Sequence, residues 1–321
     1  MKEDPSSKSI IIREVWANNL EDEFNLIRQL IGNGKYNFIS MDTEFPGFIY
    51  SPKVDYLHLK PSDNYDCLKA NVDALKLVQL GLTLSDASGN LPDLGTNNRY
   101  IWQFNFRDFD VERDLHDRKS IDMLHRQGFD FKRNVSHGVD SFCFSELMLR
   151  SGLVFNSSIT WVTFHSTYDF GYLVKILRRS HLPTSLEKFL SNVRELFGSN
   201  VYDMKYIMQY SNALVGGLEG IANTLHVNRV VGKAHQAGSD SLLTWQTFQK
   251  MVKTYFPNNE VQKYAGVIFG LEVASCLEVD ISGSRCPAVV NHKVTRCFRS
   301  HPSISDRSVH IASIQNQSKS I

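Results

Sequence analysis

After one opening helical pattern, this chain runs through antiparallel strand-like segments and then alternates strands with helices; that order limits the possible folds more than any single residue does. Residues 36–45 (YNFISMDTEF) are aromatic and β-branched, alternate over short range and end on Pro46-Gly47, a turn signal, so they predict a strand. Residues 75–86 (LKLVQLGLTLSD) and 99–106 (RYIWQFNF) predict two more. The SGNLPDLGTNN between them is loop composition throughout, which makes the two an antiparallel hairpin with a long connection. Ahead of these, residues 14–31 place Trp16, Leu20, Phe24, Ile27 and Ile31 at the spacing of an amphipathic helix. Helical patterns at 120–127 and 139–149 precede an apolar strand at 159–164 (ITWVTF), which runs into a helix written YDFGYLVKILRR. Further helices are expected at 185–197 and 216–227, flanking VYDMKYIM, and at 239–256, with Ser239 or Asp240 as N-cap.

The expected fold is therefore α/β, a mixed β-sheet flanked by helices in a single domain over residues 11–272. Residues 1–10 are expected to be a flexible N-terminus. Residues 273–321, rich in Ser, Arg, His, Asn and Gln, are expected to be a flexible tail that adds little to a core. Residues 51–67 show no clear period and read as a surface loop.

Composition removes some functional classes. A net charge of +1 leaves no global basic field, so a polyanionic partner must be held locally, by metal or by a few cations. The five cysteines are odd in number, widely spaced and never arranged as CxxC, so they suggest neither a disulfide framework nor a zinc ribbon. The opening MKEDPSSKSI is not a signal peptide, and no run of about 20 apolar residues occurs. The expectation is a soluble protein of cytoplasm and nucleus with no membrane association.

Three short motifs carry chemistry. Along a strand side chains alternate, so Asp42 and Glu44 project from one face, together with Phe38 and Ser40. Two carboxylates this close raise each other's pKa or need a cation between them. Asp169 follows the strand ITWVTF in the first turn of a helix, where functional groups collect in open α/β sheets. Then His235-Gln236-Ala237-Gly238-Ser239-Asp240 sets an acid at a helix start, with a histidine five positions earlier that titrates near neutrality. Each motif alone has an ordinary reading: a solvated strand face, a first-turn acid on the helix dipole, a capping Asp beside a surface His. Their combination and order are what weigh.

This ordered constellation resembles the DEDD exonuclease superfamily in its DEDDh branch. The phrases MDTEFPG, LVQLGLTLSD, WQFNF, WVTFHSTYDFGYL, VYDMKYIM and HQAGSDSLLTWQTFQKM are similar to the Caf-type deadenylases, the poly(A)-trimming subunits of the CCR-NOT complex. Similar phrasing runs from IREVWANNLEDEF to YAGVIFGL, across nearly the whole expected domain, and is most like the plant members. The resemblance implies an RNase H-like fold and 3′→5′ hydrolysis of poly(A) to 5′-AMP. It places the metal-holding carboxylates at Asp42, Glu44, Asp169 and Asp240, and the general base at His235. It implies two divalent ions, Mg²⁺ or Mn²⁺, about 4 Å apart. It also implies a CCR-NOT scaffold and a second deadenylase subunit as partners.

Substrate contacts are expected at Phe45 and Phe48, next to the carboxylates, and at Lys205, with Tyr50 and Lys233 as further candidates. Packing aromatics and solvated lysines are their ordinary readings. Asp203 reads as a structural acid or one that supports the site from behind. Thr167 stands where family members commonly have Gly, and a φ above zero there would strain it and displace Asp169. Two alternatives stay open: the same site acting on another RNA or on DNA 3′ ends, and a non-catalytic scaffold.

Overall fold

In the computed structural model, which describes residues 8–52, 59–211 and 213–273, the strands are β1 (Ile10–Val15), β2 (Phe38–Glu44), β3 (Gln79–Ser85), β4 (Arg99–Asn105), β5 (Thr160–Thr163) and β6 (Val201–Asp203). They meet in one sheet in the order β1-β4-β3-β2-β5-β6. The pairs β2–β3 and β3–β4 are antiparallel, while β1–β4, β2–β5 and β5–β6 are parallel. This is the mixed sheet the sequence predicts, with its hairpin. The helices are α1 (Leu20–Gly32), α2 (Pro61–Ala74), α3 (Arg118–Gln127), α4 (Phe131–His137), α5 (Ser141–Arg150), α6 (Thr167–Arg178), α7 (Leu186–Phe197), α8 (Met204–Ile207), α9 (Leu218–Thr224) and α10 (Ala237–Tyr255).

Strand alternation sorts the core into two layers. Ile39 and Met41 of β2, Leu80, Leu82 and Leu84 of β3, and Trp102 and Phe104 of β4 point into a layer with α1, α2, α5, α6 and α7. There Phe24 meets Phe104 and Phe144 with ring centroids 5.4 and 5.5 Å apart. Burying each such ring contributes about 1.5–3 kcal/mol. The opposite face carries Phe38, Ser40, Asp42 and Glu44 of β2, and α10 lies over it. Phe38 packs on Trp245 of α10 at 5.2 Å, and Ser40 Oγ donates to the Ser241 carbonyl at 2.8 Å.

The start of α10 rests on the sheet itself. A Cβ on Gly81 would lie 1.9 Å from the Ala237 carbonyl oxygen, so only glycine admits this approach. Gly81 is the β3 partner of Asp42. The contact therefore sets the α10 N-terminus directly beside the first acid.

Some elements depart from the sequence reading. Ile10–Val15 is an edge strand paired with β4, and the first helix begins at Leu20 rather than near residue 14. The expected loop at 51–67 contains the start of α2: Pro61 holds the first helical position, and Tyr65, Leu68 and Val72 are buried at helical spacing. Asn71 shares that buried face and broke the apolar pattern; its carboxamide accepts from Ile49 N and Tyr50 N, both at 2.9 Å. The late helix begins at Ala237, two residues ahead of the expected cap, with Gln236 at the N-cap. Of the expected flexible ends, 1–10 and 273–321, residues 1–7 and 274–321 lie outside the described residues, as do 53–58 of the expected loop, while Ile10 already belongs to β1.

Candidate active site

The C-terminal end of β2 delivers two acids to one place. Asp42 pairs with Gly81 and Glu44 with Gln79, so both carboxylates lie on the face that α10 covers. Among the described residues no hydrogen-bond donor reaches either carboxylate. Burial, and then the charges of Asp240, Asp169 and Glu44, hold the Asp42 carboxyl well above the ordinary range. Burial, Asp240 and Asp169 do the same to Glu44. Such a pair is stable as an ionised pair only with a cation supplied.

Asp169 enters from the first turn of α6, just past β5, as the sequence predicts. Thr43, from the opposite face of β2, donates its hydroxyl to Asp169 Oδ1. Burial pushes the Asp169 carboxyl up to about 7, opposed by the Thr43 hydrogen bond and reinforced by Asp203. Asp203 is wholly buried and fully engaged: it accepts from His165 N (2.8 Å), Ser166 N and Oγ (both 3.1 Å), Lys205 N (2.9 Å) and Phe269 N (3.1 Å). It fastens the β5–α6 junction, the supporting role expected of it. Thr167 has ordinary helical backbone, and its Oγ1 donates to the Phe269 carbonyl at 2.9 Å, so the strain feared there is absent. The turn is made two residues earlier, where His165 takes φ 58°.

Asp240 comes from the first turn of α10. Its Oδ2 accepts from the His235 backbone N–H at 2.9 Å, while Oδ1 lies 2.6 Å from the Arg229 guanidinium. Burial raises the Asp240 pKa and the Arg229 charge opposes this. Arg229 also engages Glu219, Ser239 Oγ and the Lys233 carbonyl, tying the segment before α10 together. His235 itself is exposed, with φ 59°. Its imidazole, a Glu44 oxygen and an Asp240 oxygen all lie within 4.8 Å of one another. All five expected residues therefore meet at one end of the sheet. The ligand set, four carboxylates of which Asp42 and Glu44 accept no hydrogen bond from a described residue, plus one imidazole, suits a hard divalent cation.

The expected substrate contacts divide. Phe48 is about half exposed and packs edge-on against Phe45 (5.4 Å) and Tyr168 (4.8 Å); Phe45 is half-buried and stacks on Tyr168 at 5.2 Å. Tyr50 is also about half exposed. Lys205 is buried rather than solvated, its amine donating to the Gly216 carbonyl at 2.7 Å. Lys233 is exposed.

The sequence reading missed Thr43, Arg229, Gln79 and Gln103. Gln79 Oε1 accepts from Ala237 N at 2.9 Å and Gln103 Oε1 from Gly238 N at 3.0 Å, so the first N–H groups of α10 are capped from β3 and β4. Amides interrupting the otherwise apolar strands LKLVQLGLTLSD and RYIWQFNF were the available signal.

The model of the CAF1 family ribonuclease matches residues 15–146 and 151–248. The chain is 48% identical over 273 residues to the Arabidopsis thaliana protein "Probable CCR4-associated factor 1 homolog 10", covering 85% of this chain and 96% of that one. It is 41% identical over 268 residues to the poly(A) ribonuclease pop2 of Schizosaccharomyces pombe, covering 83% and 76%. The structure of S. pombe Pop2p in its Mg²⁺- and Mn²⁺-bound form is similar with a TM-score of 0.73 at 40% identity, over 81% of this chain and 99% of that one. A yeast CAF1 co-crystallised with the NOT1 MIF4G domain is similar with a TM-score of 0.65 at 37% identity, over 81% and 96%.

Proposed function

The chain belongs to the CAF1 family of ribonucleases, and we propose that it is a metal-dependent 3′→5′ exoribonuclease that trims poly(A) to 5′-AMP, with Asp42, Glu44, Asp169 and Asp240 as its metal-holding acids. Its fold is RNase H-like, as the sequence led us to expect. The observation that carries the proposal is half-buried Asp42 beside buried Glu44, which accept no hydrogen bond from a described residue and face Asp240, Asp169 and an exposed imidazole.

When bound, two Mg²⁺ or Mn²⁺ ions would supply water activation and stabilisation of the leaving 3′ oxygen. The chain's own residues do the rest. His235, on a strained backbone held by Asp240, takes the proton of the attacking water. Thr43 fixes the rotamer of Asp169. Phe48 offers an exposed ring on which a 3′-terminal base can stack, seated on Phe45 and Tyr168. Lys205, with its amine on Gly216, serves by shaping the α8 side of the site.

The likeness to pop2, named a poly(A) ribonuclease, supports poly(A) as substrate; the co-crystallised yeast pair supports a NOT1-type scaffold as partner. A second deadenylase subunit in the same CCR-NOT assembly, and action in cytoplasm and nucleus, complete the proposal. The test is degradation of 5′-labelled RNA with an A-tail, mixed-sequence RNA and DNA by the purified protein in Mg²⁺. Stepwise shortening confined to the A-tail is expected. Equal rates on all three would overturn the poly(A) assignment, and no hydrolysis would favour a scaffold.

A further inference from the structure

Helix α10 carries Asp240 and follows His235, so whatever sets the position of its first turn also sets the site. The N-cap residue Gln236 makes no side-chain cap bond, and the first two N–H groups are instead received by Gln79 Oε1 and Gln103 Oε1. Neither amide is free to turn. Gln103 Nε2 donates to Glu14 Oε1 at 2.9 Å, and Asn105 Nδ2 donates to Glu14 Oε2 at 2.7 Å. Asn105 Oδ1 in turn accepts from Gln79 Nε2 at 2.7 Å. A carboxylate can only accept, so it draws both NH₂ groups toward β1, which aims Gln103 Oε1 at α10 and Asn105 Oδ1 at the Gln79 NH₂, and thereby turns Gln79 Oε1 to α10.

We propose that Glu14, Gln103, Asn105 and Gln79 form a positioning relay for the active site. Exposed Glu14 on the edge strand fixes the amide orientation, and the amides fix the start of α10 and with it Asp240 and His235. The relay has two branches, one through Gln103 to Gly238 and one through Asn105 and Gln79 to Ala237. Close packing leaves α10 no other seat: Gly81 abuts Ala237, and a Cβ on Gly238 would lie 3.0 Å from Gln103 Oε1. A lost amide orientation therefore sets N–H against N–H and pushes the first turn off the sheet. These residues act through α10 and touch no reacting group.

The inference rests on the reading of Asp240 and His235 as site residues, and its test separates the two. Glu14→Gln keeps size and shape but turns one accepting oxygen into a donor that confronts an amide NH₂. Mn²⁺ binding is measured by calorimetry on the full chain, with thermal melting in EDTA alongside. Gln79→Met repeats the test from inside the relay. Thr83→Val is the control, since Thr83 meets the same helix at Ser241 Oγ, 2.8 Å away and beyond the first turn. The expected result is a Mn²⁺ dissociation constant about tenfold or more weaker in Glu14→Gln and Gln79→Met, as for lost support of metal-holding residues. Thr83→Val is expected to melt lower but bind Mn²⁺ as the unmodified chain does. Unchanged Mn²⁺ affinity in both relay variants, or equal weakening in Thr83→Val, would overturn the relay. No Mn²⁺ binding by the unmodified chain would overturn the site reading and the relay with it.

Discussion

Buried Asp203 and the pair of half-buried Asp42 and buried Glu44 sit at the ends of strands in one sheet, yet they are treated in opposite ways. Asp203 receives five hydrogen bonds and is a closed unit that pins the β5–α6 junction. Asp42 and Glu44 receive none from the described residues and repel one another, Asp169 and Asp240. Glu23, also buried, follows the first pattern, accepting from Arg13 and from Trp102 Nε1. The fold therefore can satisfy a buried carboxylate with hydrogen bonds, and at β2 it supplies none from the described residues, only the opposing charge of Arg229. What distinguishes the β2 pair from Asp203 and Glu23 is the lack of hydrogen-bond partners among the described residues.

The largest expected effect follows from the satisfied acid. Asp203→Ala strands several buried donors and is expected to destabilise the fold by about 3–5 kcal/mol, read by urea unfolding, whether or not Mn²⁺ is present. A loss under about 1 kcal/mol would break the contrast.

A smaller effect sharpens it through pH. The Asp169 carboxyl is pushed from 3.8 to about 7 in the folded chain. A raised folded pKa contributes stability that is present below about pH 4 and lost as pH rises toward 7. The metal-free protein is thus expected to lose this contribution across that window. Mn²⁺ needs the ionised acids, so the rise in melting temperature that it causes is expected to grow from pH 5 to 7, by on the order of a few degrees, and then level off. A Mn²⁺ effect that shrinks over this window would contradict the assignment.

Much of this was legible in the sequence. The alternation in YNFISMDTEF placed Asp42 and Glu44 on one face, and the ITWVTF-to-helix junction placed Asp169. Both signals are local. The start of α10 was misplaced for the opposite reason: Ser239 has the chemistry of an N-cap, but the capping oxygens come from Gln79 and Gln103, 158 and 135 positions away. Edge strand β1 was missed because its half-exposed residues do not alternate cleanly and run into the periodicity of α1. Thr167 drew attention through its residue type, whereas the positive φ sits at His165, which no pattern of residues announced.

The central claim is that Asp42 and Glu44 are left unneutralised so that they can hold a cation. Thermal melting of Asp42→Asn against the unmodified chain, each in EDTA and in Mn²⁺, tests it most directly. The account predicts that the variant melts higher in EDTA, because the carboxyl repelled by Asp240, Asp169 and Glu44 is gone, and that most of the Mn²⁺-induced rise disappears along with RNA hydrolysis. A variant that melts lower in EDTA and keeps the full Mn²⁺-induced rise would contradict it.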